Sequence, residues 1–184
     1  MQKKLGLLVI VVIGSLLFLA PQSRAEDASF YAGQEVAKAW ESLNGGDLAG
    51  ALRSFKQATV IDPQYAPAYY GKGHAYLVQD KIGLAVANFK KTIELADPPM
   101  VEAYVNLGFA LTLLGREQEG LNMYNQALAL DPMNKEAHLN LANFYCSELN
   151  GTKAWEHIRF AQKMKAEISP EQLAEMESLC PEAK

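Results

Sequence analysis

The sequence is poor in the residues that catalytic and metal chemistry draw on. It holds two cysteines and three histidines in 184 residues. Cys146 and Cys180 are far apart, so no Cys-x-x-Cys redox motif exists. His74, His138 and His157 show no metal-ligand spacing with one another or with either cysteine. A nucleophile elbow, a phosphate loop, a dinucleotide fingerprint and a zinc-protease motif are all missing. Paired acids such as Glu117 and Glu119 fall at an expected helix start, where the helix dipole accounts for them. The expectation is therefore a non-enzyme with no catalytic residue, no cofactor and no metal. Runs of β-branched residues are absent beyond the N-terminal segment, which argues against strands. No cluster of Lys and Arg is present, which makes nucleic acid and anionic membrane surfaces poor partners.

What is present begins with an export signal. Lys3 and Lys4 precede an apolar run from Leu5 to Ala20, and Ser23 and Ala25 supply the small side chains of a cleavage site. Residues 1–25 are expected as a signal peptide cut after Ala25, because a cut after Ala20 would place Pro21 next to the scissile bond. The 16-residue core falls just short of a bilayer span, so retention as a membrane anchor is the alternative. Without Lys3, Lys4 and Arg24, 14 basic residues face 21 acidic ones, and the net charge falls to −7. Those acids are dispersed, as on a solvated surface.

Residues 26–31 are expected as a short lead-in. Helical periodicity then carries Val36, Ala39, Trp40 and Leu43, and stops at Asn44-Gly45-Gly46-Asp47. A partner helix with Ala51, Phe55 and Ala58 ends at Asp62-Pro63. The pattern restarts three times, in the expected pairs 66–78 and 82–95, 101–114 and 118–130, and 135–148 and 152–165, the last joined through Asn150-Gly151. Ser169-Pro170-Glu171-Gln172 opens a ninth helix striped by Leu173, Met176 and Leu179.

The period is about 34 residues: Ile61-Asp62-Pro63 returns as Leu130-Asp131-Pro132, with Leu95-Ala96-Asp97-Pro98 between them. Unit three carries Tyr104, Leu107-Gly108, Leu111, Tyr124, Ala127 and Pro132, with Gly120 at a position that the other units fill with Ala51, Ala85 and Ala154. Unit two offers Tyr69, Gly73, Tyr76, Ala85 and Phe89, and unit four His138, Leu141-Ala142, Ile158 and Ala161. Residues 32–168 thus resemble four tetratricopeptide repeats, at 32–65, 66–100, 101–134 and 135–168. The resemblance implies an all-α, right-handed α-solenoid of about four helix pairs, with residues 169–184 as capping helix and tail.

It further implies a concave groove, lined by the first helix of each pair, that binds a peptide segment. Its phases fall on Val36 and Trp40, on Tyr70 and His74, on Glu102, Val105 and Phe109, and on Glu136, Leu139 and Asn143. Chaperone-binding members grip a carboxylate with Lys and Arg, whereas Val36, Trp40, Glu102 and Glu136 stand here, so an apolar, even basic, peptide suits the groove better. The same frame gives Cys180 the phase of Cys146, and in an exported chain a disulfide between them is expected over two free thiols. The expected protein is an exported interaction scaffold of the bacterial cell envelope, periplasmic, with secretion or membrane anchoring as alternatives, holding a peptide segment of another envelope or secreted protein. An accessory subunit of an enzyme system acting on cell-wall polymer is the alternative.

Overall fold

A computed structural model describes residues 26–164 and 168–181. The expected signal peptide lies outside the described residues. Among the described residues there are nine helices and no strand: α1 (26–44), α2 (Leu48–Ile61), α3 (Ala66–Val78), α4 (Ile82–Leu95), α5 (Val101–Leu113), α6 (Glu117–Leu130), α7 (Lys135–Ser147), α8 (Gly151–Lys163) and α9 (Pro170–Leu179). The expected lead-in at 26–31 is a correction: those residues already belong to α1. They hold no Gly or Pro that would end a helix, and Ala32 and Val36 bury its next turns. None of the described helices is long and apolar enough to cross a membrane.

The chain divides into two compact units, with the boundary within α3 between Lys72 and Gly73. In the first unit, Ala32, Ala39, Ala51, Phe55 and Ala58 are fully buried. The Asp47 carboxylate accepts a 2.8 Å hydrogen bond from the Gly50 amide and caps α2. In the second unit α4 packs on α5, α5 on α6, α6 on α7, α7 on α8, and α9 covers α7. Its core includes fully buried Ala85, Phe89, Ala127, Leu141, Ala154 and Ile158. Thr92 is fully buried too, because its hydroxyl donates to the Asn88 carbonyl at 3.0 Å.

Each helix pair turns on one residue in the left-handed region. These are Gly46 (φ 83°), Asp80 (φ 57°), Gly115 (φ 71°) and Leu149 (φ 56°), spaced 34, 35 and 34 residues apart. The middle interval is longer by the extra residue of the Asp97-Pro98-Pro99 joint. Leu149 shifts the last turn from where Asn150-Gly151 suggested it. Asn150 instead caps α8, accepting from the Lys153 amide at 3.3 Å. Gly151 is the first residue of α8, and a Cβ there would meet the Pro181 carbonyl oxygen at 2.8 Å.

Candidate functional site

Two cavities in the second unit share lining residues. One, of about 640 Å3, opens between α7 and α9 and is lined by Leu139, Asn143, Cys146, Ser147, Leu149, Ile168, Met176 and Leu179. The other, of about 200 Å3, lies among α5, α6 and α7 and is lined by Phe109, Thr112, Glu117, Tyr124, Asn140, Asn143, Phe144 and Ser147. Leu139, Asn143 and Ser147 share a helix face because their spacing is close to one and two helical turns. Asn143 and Ser147 border both cavities, so the two adjoin along α7 as a trough in two parts. Its described lining is mainly apolar, with a few amide and hydroxyl groups and the Glu117 carboxylate, and includes no Lys or Arg.

The expected groove residues divide in three ways. Phe109, 41% exposed, lies in the trough together with Leu139 and Asn143, and Glu102 and Glu136 are exposed one to two turns before them on α5 and α7. Val36 and Val105 are corrections, since both are buried: Val36 in the first unit, and Val105 among Tyr124, Ala127, Ala137 and Leu141. A few tens of degrees about the helix axis separate a groove position from a stacking one, and both valines fall on the stacking side. Trp40 and Tyr70 form an aromatic pair in the first unit, with ring centroids 6.3 Å apart, and Trp40 also stands edge-on to Phe55 at 5.3 Å. His74 is held rather than presented: its Nε2 lies 3.1 Å from Asn106 Nδ2, and its ring meets Phe89 edge-on.

Cys146 and Cys180 come together in one buried cluster with Ala154, as free thiols. The expected bond between them is not formed in this structure. Burial, and then the neighbouring Cys180 thiol, push the Cys146 pKa up to about 12. At neutral pH Cys146 is therefore a protonated thiol, which packs as a small apolar group.

Sequence spacing gave no hint of the histidine pair. His138 is buried, its Nδ1 lies 2.8 Å from His157 Nδ1, and its Nε2 lies 3.2 Å from the Pro132 carbonyl oxygen. A carbonyl only accepts, so Nε2 carries the His138 proton and His157 Nδ1–H donates to His138 Nδ1. Phe160 stacks on His138, and Tyr145 stacks on His157. Burial lowers the His157 pKa first, His138 and Lys153 lower it further, and Glu156 opposes them. Burial also lowers His74. Both imidazoles thus stay neutral in the native state to a lower pH than in the unfolded chain. Their stabilisation is fully present above the unfolded value of about 6.5 and is lost as pH falls through the lower native values. Thermal melting is expected to show a level midpoint from about pH 8 to 7 and a decline below about 6.5, and His157→Gln should flatten that decline. A midpoint equally pH-dependent in the variant would contradict this assignment.

Among the described residues no group of three or more His, Cys, Asp or Glu could hold a metal ion. Known proteins share the architecture. A family profile described as a TPR repeat matches residues 43–80, and a tetratricopeptide repeat profile matches residues 66–98 and 101–134. Tetratricopeptide repeat-containing protein trd-1 of Caenorhabditis elegans is 28% identical over 123 residues, which cover 66% of this chain but only 16% of that protein. Tetratricopeptide repeat protein 36 of Homo sapiens is 28% identical over 138 residues, 70% of this chain and 73% of its own. Among solved structures, MamA superposes with a TM-score of 0.66 at 20% identity, covering 78% of this chain and 81% of MamA. YrrB gives 0.61 at 19% identity, covering 80% of this chain and 85% of YrrB. Tetratricopeptide-repeat profiles thus match residues 43–98 and 101–134, and the helix pairs turning once per 34 or 35 residues give the described chain the architecture of a tetratricopeptide-repeat solenoid.

Proposed function

We propose that the protein is a non-catalytic interaction module that holds an extended, mainly apolar peptide segment of a partner protein in the trough of its second unit. The observation that carries this reading is that two cavities adjoin along one face of α7, with Asn143 and Ser147 bordering both. Apolar walls with a few convergent polar groups are what a binding cleft needs: the walls supply affinity, and the amides and hydroxyls fix a peptide backbone. Phe109 and Leu139 are the apolar anchors, one in each cavity, and Asn143 borders both cavities. Glu102, Glu117 and Glu136 around it favour a segment that carries a Lys or Arg. The solved YrrB structure is described as a TPR protein with an unusual peptide-binding site, which supports a peptide as the ligand. The layout of residues 1–25 supports export, with the partner an envelope or secreted protein. N-terminal sequencing of the exported chain should begin at Glu26.

The test is an array of synthetic twelve-residue peptides varying in apolar and basic content, read by fluorescence anisotropy. Peptides with two large apolar side chains and a cation should bind best. Phe109→Ala with Leu139→Ala should weaken the best of them by about tenfold or more. Equal affinity for the variant, with its melting midpoint retained, would exclude the trough as the site.

A further inference from the structure

Cys146 and Cys180 are 34 positions apart, one repeat length, with Cys146 on α7 and Cys180 just past the end of α9. Both are almost fully buried, at 8% and 3% exposure, in one cluster with Ala154. Residue 180 is held there by contacts that do not involve its sulfur. The Trp155 Nε1–H donates to the Cys180 carbonyl at 2.8 Å, and the Pro181 carbonyl lies so close to α8 that only glycine fits at position 151. The two cysteines also border different cavities. Cys146 borders the cavity between α7 and α9, and Cys180 borders a further pocket beside Leu149 to Thr152. Both cysteines thus lie at cavity walls, the side from which a small oxidant would come.

We propose that Cys146 and Cys180 are an oxidisable latch: exchange with a disulfide-bearing oxidant joins their sulfurs and locks α9 onto α7. In the first step one thiol loses its proton, and its sulfur attacks the oxidant disulfide, releasing one thiol and leaving a mixed disulfide. In the second step the other cysteine sulfur, deprotonated in turn, attacks the protein sulfur of that mixed disulfide. The Cys146–Cys180 bond forms, and a second thiol of the oxidant leaves. The cysteines lose two electrons and two protons in all, and the oxidant disulfide is reduced to two thiols. The raised Cys146 value makes the exchange slow at neutral pH and faster as pH rises. The closed bond would fix Met176 and Leu179, one wall of the larger cavity, against Leu139 and Asn143 on the other. The width of that cavity then depends on the redox state.

The experiment incubates the purified chain with oxidised glutathione, quenches it with acid, alkylates it under denaturing conditions and measures the intact mass. The latch predicts a monomer two hydrogens lighter with no alkylated cysteine, and a proteolytic fragment joining residues 146 and 180. It also predicts a melting midpoint higher by about 5 °C or more, reversed by dithiothreitol. Cys146→Ser and Cys180→Ala should each abolish the fragment and the rise. Any of three results would overturn the proposal: both thiols still alkylated, glutathione adducts as the final product, or an intrachain bond that leaves the midpoint unmoved.

Discussion

Replacing Gly108 with leucine is expected to cost about 3 kcal/mol or more of folding stability. A Cβ at Gly108 would lie 2.6 Å from Tyr124 Cε1 and 3.1 Å from the Gly120 carbonyl oxygen. Tyr124 is only 2% exposed and packed among Val105, Ala127, Ala137 and Leu141, so its ring can give way only by shifting into the small cavity it lines. The reverse contact is as tight, since a Cβ at Gly120 would lie 2.9 Å from the Gly108 carbonyl oxygen and 2.7 Å from Thr112 Cγ2. This reciprocal contact between α5 and α6 explains why Gly120 stands where other pairs carry Ala51, Ala85 and Ala154. Urea unfolding should show a lowered midpoint for Gly108→Leu, and Gly108→Ala should fall between it and the parent. A leucine variant as stable as the parent would mean that α5 and α6 can separate freely, against the geometry described.

The second large effect is expected at Trp155. It is 6% exposed and packs with Ala142, Ile158 and Met176, while its indole nitrogen donates to the Cys180 carbonyl. One side chain thus fills the space between α8 and α9 and ties down the end of α9. Trp155→Ala should cost about 3–5 kcal/mol, as large aromatic truncations in a core do. Trp155→Phe keeps much of the apolar contact but leaves the carbonyl without its donor, so a smaller loss of about 1–3 kcal/mol is expected. Amide exchange is the sharper readout. In the alanine variant protection should collapse first at 170–180, with α5 and α6 less affected. Uniform loss across the second unit would show that α9 is not a separable cover.

The helix pairs were legible because small and large residues recur in phase. Ala39, Ala51, Ala85, Ala142 and Ala154 are all fully buried at the phases their spacing indicated. The trough was legible only in part. Phe109, Leu139 and Asn143 line it, yet Val36 and Val105 are buried, because helical periodicity fixes a side chain's direction too coarsely to separate groove from core. Leu149 was hidden for another reason. Asn-Gly is a strong turn signal, but Asn is also a good cap, and capping decided its role here. Trp155 and the His138–His157 pair left no local trace, since each acquires its role from a different helix. The amphipathic spacing of α8 places Trp155 beside Ile158 on the buried side, which could have drawn notice to it.

The wall shared through Asn143 and Ser147 has a thermodynamic consequence. A ligand that fills the trough touches α5 at one end and α9 at the other. If opening α9 destroys the larger cavity, occupancy makes that opening harder by mass action. The cost rises by about 2.7 kcal/mol when free ligand exceeds its dissociation constant a hundredfold. The cap's exchange rate would then titrate with ligand concentration, so a helix that makes only some of the contacts would report the occupancy of the whole trough.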